Sequence, residues 1–188
     1  MRLPDNLTLL YEPIVDLETR RAVALLAIVR RTSRFEHDDA DAAQAGSNQH
    51  FALHRPEVDL PLLHVVCSHL RDWAEAGIAV RVCVPVHGHT LGYPNLVHNL
   101  GDAAQQAGVA IDQLELGLTP VSEIDDWPQA LNNIDELRRR GAKLSLLGFG
   151  VGYQSLARVG NLPCDRVELT ESWTHEAGQA QDTLAIVR

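Results

Sequence analysis

With 188 residues the chain is the size of one domain, and 45% hydrophobic against 22% charged residues is the composition of a globular protein with a core. Disorder and fibrous or coiled-coil repeats are excluded. A formal charge of −9, from 25 acidic against 16 basic residues, lacks the basic face that a phosphate backbone requires, so nucleic acid is not expected as a partner. No apolar run approaches the ~20 residues that cross a bilayer, and Met1-Arg2-Leu3-Pro4 does not open a secretory signal. No membrane partner and a cytoplasmic location are therefore expected. Cys67, Cys83 and Cys164 are odd in number and scattered in apolar contexts, which reads as free buried thiols rather than disulfides or a zinc site.

In chain order, the first strand-like run is Leu7–Val15 and the second 22–29, joined by the short polar stretch from Asp16 to Arg20, which predicts a hairpin. Residues 34–56 turn polar, with Glu36, Asp38, Asp39 and Asp41 close together, and read as a long loop. Three segments of one shape follow, each a helical pattern closed by glycine and succeeded by an apolar strand. In the first, Leu62, Leu63, Val66, Leu70 and Trp73 recur near a period of 3.6; Gly77 ends the helix and residues 80–86 form the strand. The second pairs a helix over 96–106 and Gly108 with a strand at Leu114–Leu118. The third pairs 127–140 and Gly141 with 144–149. These glycines lie 31 and 33 residues apart, the length of one β-α unit, and predict a parallel sheet with helices outside it, either a barrel or an open doubly wound sheet. A sixth strand is expected at 165–169 and a last helix from about His175.

Taken together these landmarks resemble one family, the EAL-domain phosphodiesterases that hydrolyse bacterial cyclic di-GMP on an α/β barrel. Tyr11-Glu12-Pro13-Ile14-Val15 is similar to the family's YQPIV, Leu26-Ala27-Ile28-Val29-Arg30 to EALVR, and Val84-Pro85-Val86-His87 to VNVS. Gly117-Leu118-Thr119-Pro120 falls on ExTE, residues 147–153 on DDFGTGY, and residues 162–170 on LPVDRLKID. The resemblance implies an α/β fold, an incomplete EAL-type barrel of about six strands with an antiparallel entry strand, and one degenerate domain over 1–188.

In active relatives these motifs supply oxygen ligands for two divalent metals and a nearby lysine. By the same resemblance the six positions here are Leu26, Pro85, Gly117, Leu147, Gly148 and Glu168. Five lack a donor side chain, and Glu168 reverses the lysine's charge. The chain also stops before the family's VAEGVE-like segment. No cofactor, no metal and no catalysis are therefore expected. Arg30 matches an arginine that holds the ligand in the family, whereas Glu12 and Pro120 replace polar contacts, so cyclic di-GMP is expected to bind weakly or not at all. The plain reading of Arg30 is a strand-end cation paired with a local carboxylate.

Other features carry less. His87 and His89, two apart at the end of the third strand, would share a face and form a weak metal alternative, but a convergent third ligand is missing. His50 and His54 stand at i, i+4 spacing beside Pro56 and read as solvated. The glycines at 148, 150 and 152 lack the Lys-Ser/Thr of a phosphate loop. Arg138, Arg139 and Arg140 suit a helix C-terminus, and Trp73, Trp127 and Trp173 suit helix anchors. The expected function is a non-catalytic regulatory or protein-interaction domain in cyclic di-GMP signalling. A cyclic di-GMP receptor using Arg30 is the alternative, and a metal-dependent phosphodiesterase the less favoured one. Six strands leave sheet edges, so a protein partner or self-association is expected through the first strand near Leu9 and Ile14, the sixth near Val167 and Leu169, and the terminal segment with Leu184 and Ile186.

Overall fold

The computed structural model describes residues 2–31, 56–119, 124–149 and 162–169. Its six strands are β1 (Leu7–Val15), β2 (Ala22–Arg31), β3 (Val82–Val86), β4 (Leu114–Leu118), β5 (Lys143–Phe149) and β6 (Arg166–Leu169). They form one sheet in the order β1-β2-β3-β4-β5-β6, in which β1 is antiparallel to β2 and every later pair is parallel. A doubly wound sheet reverses its strand order partway across; this one runs in a single direction, as a barrel does.

The helices are α1 (Pro56–Glu75), the single turn α2 (Gly88–Leu91), α3 (Leu96–Ala107) and α4 (Trp127–Arg139). Proline suits the first helical position, and Glu57 and Asp59 complement the positive end of α1. Pro56, the last residue of the stretch expected as a long loop, thus opens the helix, residues 34–55 of that stretch lie outside the described residues, and Pro61 is accommodated inside the helix. At the other end Gly77 takes φ 78° while Ile78 N–H reaches back to the Trp73 carbonyl at 2.8 Å, the glycine-terminated stop read from the sequence. In α4 the Asp126 side chain accepts the Gln129 N–H at 3.0 Å, and Pro128 occupies the first turn.

Alternation along the strands divides the sheet into two faces. Val82, Val84, Val86, Leu114, Leu116, Leu118, Leu144 and Leu146 pack with Leu62, Val66, Leu70, Leu100 and Ile134 of the helices in one continuous core. The opposite residues, among them Cys83, Pro85, Glu115, Gly117, Ser145, Leu147, Arg166 and Glu168, line the concave interior. On β1, Leu7, Leu9 and Tyr11 lie on the helix side, where Tyr11 Oη bonds His69 Nδ1 at 2.8 Å and the ring meets Trp73 edge-on at 4.9 Å. Leu9 is half-buried against the core on β1, a border strand of the described sheet. Ile14 and Leu169 are half-buried, and Val167 is exposed. Leu184, Ile186 and Trp173 lie outside the described residues.

Among the described residues β1 and β6 are the two edges of the sheet. Pro13 interrupts the amide donors of β1 and Glu12 adds a charge; β6 is four residues long. Both are devices that blunt an edge.

Candidate functional site at the barrel mouth

The parallel strands end together at Arg31, Val86, Leu118, Phe149 and Leu169, which defines the mouth. β2 runs two residues past its expected end, so Arg30 is the last interior-facing side chain of that strand, two pleats beyond Leu26. It is exposed, and no ion-pair partner is present among the described residues. The local carboxylate expected for it is absent from that set.

Across the interior the six family-matched positions share one region. Pro85 and Gly117 stand side by side through the β3–β4 register, and Leu26 pairs with Cys83 one strand earlier. Leu147 and Gly148 lie in an irregularity of β5, where three residue steps from Leu146 to Phe149 face two steps from Val167 to Leu169. Such a bulge turns neighbouring side chains toward one place, and Gly148 takes the left-handed φ of 62° that it requires. Leu147 is fully buried. A Cβ added at Gly117 would lie 2.5 Å from Leu147 Cδ1 and 3.0 Å from both Leu147 Cγ and Cys83 Sγ. Leu147 therefore fills the space that a side chain at position 117 needs.

Below this apolar layer is a polar cluster that the sequence did not reveal. Glu115 Oε1 accepts the Ser145 hydroxyl, and lies 2.9 Å from Arg166 Nε and 2.6 Å from Arg166 Nη2. Ser145 and Glu115 are buried, so the guanidinium supplies the charge that the carboxylate needs there. Cys83 is buried beside them; burial first, then the Glu115 charge, pushes its thiol far above the ordinary range. Glu168 is half-buried, and burial, reinforced by Glu12 and opposed by Arg166, raises its carboxyl above its usual value. The interior thus holds the Glu115 carboxylate and the Arg166 guanidinium low down, hydrocarbon or no side chain at Leu26, Pro85, Gly117, Leu147 and Gly148, and one carboxylate, Glu168, toward the mouth end of β6.

The histidines differ from the expected strand placement. His87 follows β3 and caps α2, its Nδ1 accepting His89 N–H at 3.4 Å, while His89 Nδ1 lies 2.5 Å from Asp125 Oδ2. Their rings are 5.0 Å apart, and no group of three or more His, Cys, Asp or Glu that could hold a metal occurs among the described residues. The sequence also missed Asp59. From α1 it accepts His87 N–H at 2.8 Å and Thr90 Oγ1–H at 2.5 Å, which fixes the turn that leaves β3. Pro120, His50, His54 and the glycines at 150 and 152 lie outside the described residues, and no described helix is long and apolar enough to cross a membrane.

The EAL domain family model matches residues 3–188. The chain is 30% identical over 188 residues to the cyclic di-GMP phosphodiesterase NbdA of Pseudomonas aeruginosa, covering 98% of this chain and 24% of that protein. It is 24% identical over 123 residues to the cyclic di-GMP phosphodiesterase PdeR of Escherichia coli, covering 65% and 19%. Among solved structures it is similar to the PaMucR phosphodiesterase in a c-di-GMP complex, with TM-score 0.75 and 21% identity over 97% of this chain and 74% of that one. It is also similar to the Xanthomonas citri FimX EAL domain in complex with c-diGMP, with TM-score 0.72 and 16% identity over 96% and 70%. The chain spans about a quarter of the length of NbdA and a fifth of that of PdeR.

Proposed function

The chain belongs to the EAL domain family, and from that membership we propose that it is a non-catalytic member acting as a regulatory or protein-interaction domain in cyclic di-GMP signalling. One observation carries the reading: the positions matched to the metal-holding motifs are packed with hydrocarbon, with Leu147 in the space beside Gly117. Two divalent ions require a converging set of oxygen donors. Leu26, Pro85, Gly117, Leu147 and Gly148 offer none from their side chains, and Glu168 is a single carboxylate whose raised pKa opposes the charged form a metal needs. These residues do not fit the metal pair, and no hydrolytic step is assigned to them.

The test is hydrolysis of cyclic di-GMP by the purified chain with magnesium or manganese. No turnover above a no-enzyme control is expected; chelator-sensitive turnover would overturn the proposal. Leu26→Glu alone is expected to leave the chain inactive.

A receptor reading is favoured by Arg30, an exposed guanidinium at the mouth. Against it stand the carboxylates of Glu12 and Glu168, which disfavour a dianionic ligand. A dissociation constant above about 100 μM is expected, less than roughly 5.5 kcal/mol of binding free energy. Low-micromolar binding by calorimetry, abolished in Arg30→Ala, would establish the receptor instead.

A further inference from the structure

The rim opposite the mouth carries an apolar surface of unusual construction. In the β1–β2 turn Leu17 is 90% exposed, with Val15 at 44% and Val23 at 52% beside it. The turn is held from within. Asp16 Oδ1 accepts Thr19 N–H at 2.6 Å and Thr19 Oγ1–H at 2.7 Å, Arg20 N–H reaches the Asp16 carbonyl at 2.8 Å, and Asp16 N–H reaches that of Arg21 at 2.9 Å. Arg20 is held at φ 55°, a left-handed conformation that is costly for an L-residue with a long side chain. Exposed leucines are common on proteins, but a rigid, strained turn that presents one is preorganised for contact.

The same rim bears the complement. Leu25 N–H bonds the Arg81 carbonyl at 2.8 Å and Leu25 pairs with Val82, so the start of β2 lies beside the segment entering β3. That segment begins with Ile78, 53% exposed, three residues after Glu75, whose side chain is 73% exposed and lies 4.0 Å from Arg71 Nε of its own helix. Asp16 is engaged within the turn, which leaves Arg20 and Arg21 against Glu18 as its outward charges. On a chain of net charge −9, Arg20 and Arg21 give this turn a local excess of positive charge, which an acidic second copy complements.

We propose that the β1–β2 turn is a self-association surface whose occupant is a second copy of this chain. The contact is two-fold: Leu17 of each copy packs over Ile78 of the other, and Arg20 and Arg21 approach the other copy's Glu75. A two-fold arrangement uses one patch twice and closes on itself, giving a dimer and no larger array. The inference rests on the interaction-domain reading and names its partner.

Sedimentation equilibrium of the full chain, from about 10 to 500 μM, covers the range expected of a small, transient interface. The weight-average mass is expected to rise from monomer toward dimer and stop there. Leu17→Asp, at a side chain with almost no intramolecular contact, is expected to keep the wild-type circular dichroism spectrum and melting curve while weakening the dimer at least about tenfold. The double variant Arg20→Glu/Arg21→Glu is expected to dissociate likewise, and adding Glu75→Arg to restore association. A monomer at every concentration, a Leu17→Asp dimer of unchanged strength, or failure of Glu75→Arg to rescue would overturn the proposal. Hydrolysis assays separate the two readings: a monomer without turnover removes only the dimer, whereas turnover removes the non-catalytic assignment whatever the mass.

Discussion

Replacing Gly117 by alanine adds one methyl group and tests the packing of the mouth. In an ordinary strand that change is favourable by about 0.5–1 kcal/mol, because glycine loses more chain entropy on folding. Here the new Cβ would sit 2.5 Å from Leu147 Cδ1 and 3.0 Å from Cys83 Sγ, both on fully buried residues with little freedom to retreat. Overpacking of this kind costs about 1–3 kcal/mol, so net destabilisation of about 1–2 kcal/mol is expected. Leu147→Ala alone opens a cavity, at about 2–5 kcal/mol. In the double variant the alanine at position 117 no longer meets the leucine, so the two effects are expected to fall short of additivity by about 1 kcal/mol or more. Urea unfolding followed by circular dichroism measures all four corners of the cycle. A Gly117→Ala variant as stable as the wild type, or an additive double variant, would refute the interlock and with it the main support for a mouth closed to metal.

Two further expectations concern other parts of the interior. Asp59→Ala strands the His87 amide and the buried Thr90 hydroxyl and is expected to cost about 2–4 kcal/mol, with Asp59→Asn milder because an acceptor remains; denaturant titration would refute this if Asp59→Ala stayed within about 0.5 kcal/mol of wild type. The Glu168 carboxyl titrates higher in the fold than in the unfolded chain, so its contribution to stability is present below the ordinary carboxylate range and is lost as pH rises through the raised folded value. Melting temperature measured from about pH 4 to 7 is expected to carry this decline, and Glu168→Gln to remove it; parallel profiles for the two proteins would contradict the assignment.

The elements were legible where local chemistry decides them. Gly77, Gly108 and Gly141 all take positive φ where the helical patterns stop, and the apolar strands follow at the expected places. Sequence periodicity failed at the start of α1. Pro56 was placed in the polar stretch, whereas it is an acceptable helix opener, and Pro61 is tolerated inside α1 because the helix is anchored along its buried side. It failed also at His87 and His89, because strand alternation was extended three residues past Val86, into a turn set by Asp59 from 28 residues before His87. The Glu115–Ser145–Arg166 cluster was illegible for a related reason: its members come from three strands and meet only through their register. Gly117 and Leu147 were visible as unusual residues, but that one fills the room left by the other depends on the pleats of β4 and β5.

Pro13 bears on how the sheet meets anything beside it. In an antiparallel pair each residue turns its amide and carbonyl to the same side, and alternate residues turn them to opposite sides. Pro13 has no N–H to give β2, so by parity Leu9 and Tyr11 also face outward, while Leu7 N–H is already spent on the Pro4 carbonyl at 2.9 Å. By the same parity Val15 faces outward too, so among the described residues the border of β1 offers three amide donors in nine residues. At the opposite border, β6 is only four residues long. A segment laid along either border gains few main-chain bonds, so its hold depends on what its side chains find. The two border strands are thus expected to open first, with their amides exchanging ahead of those in β3 and β4.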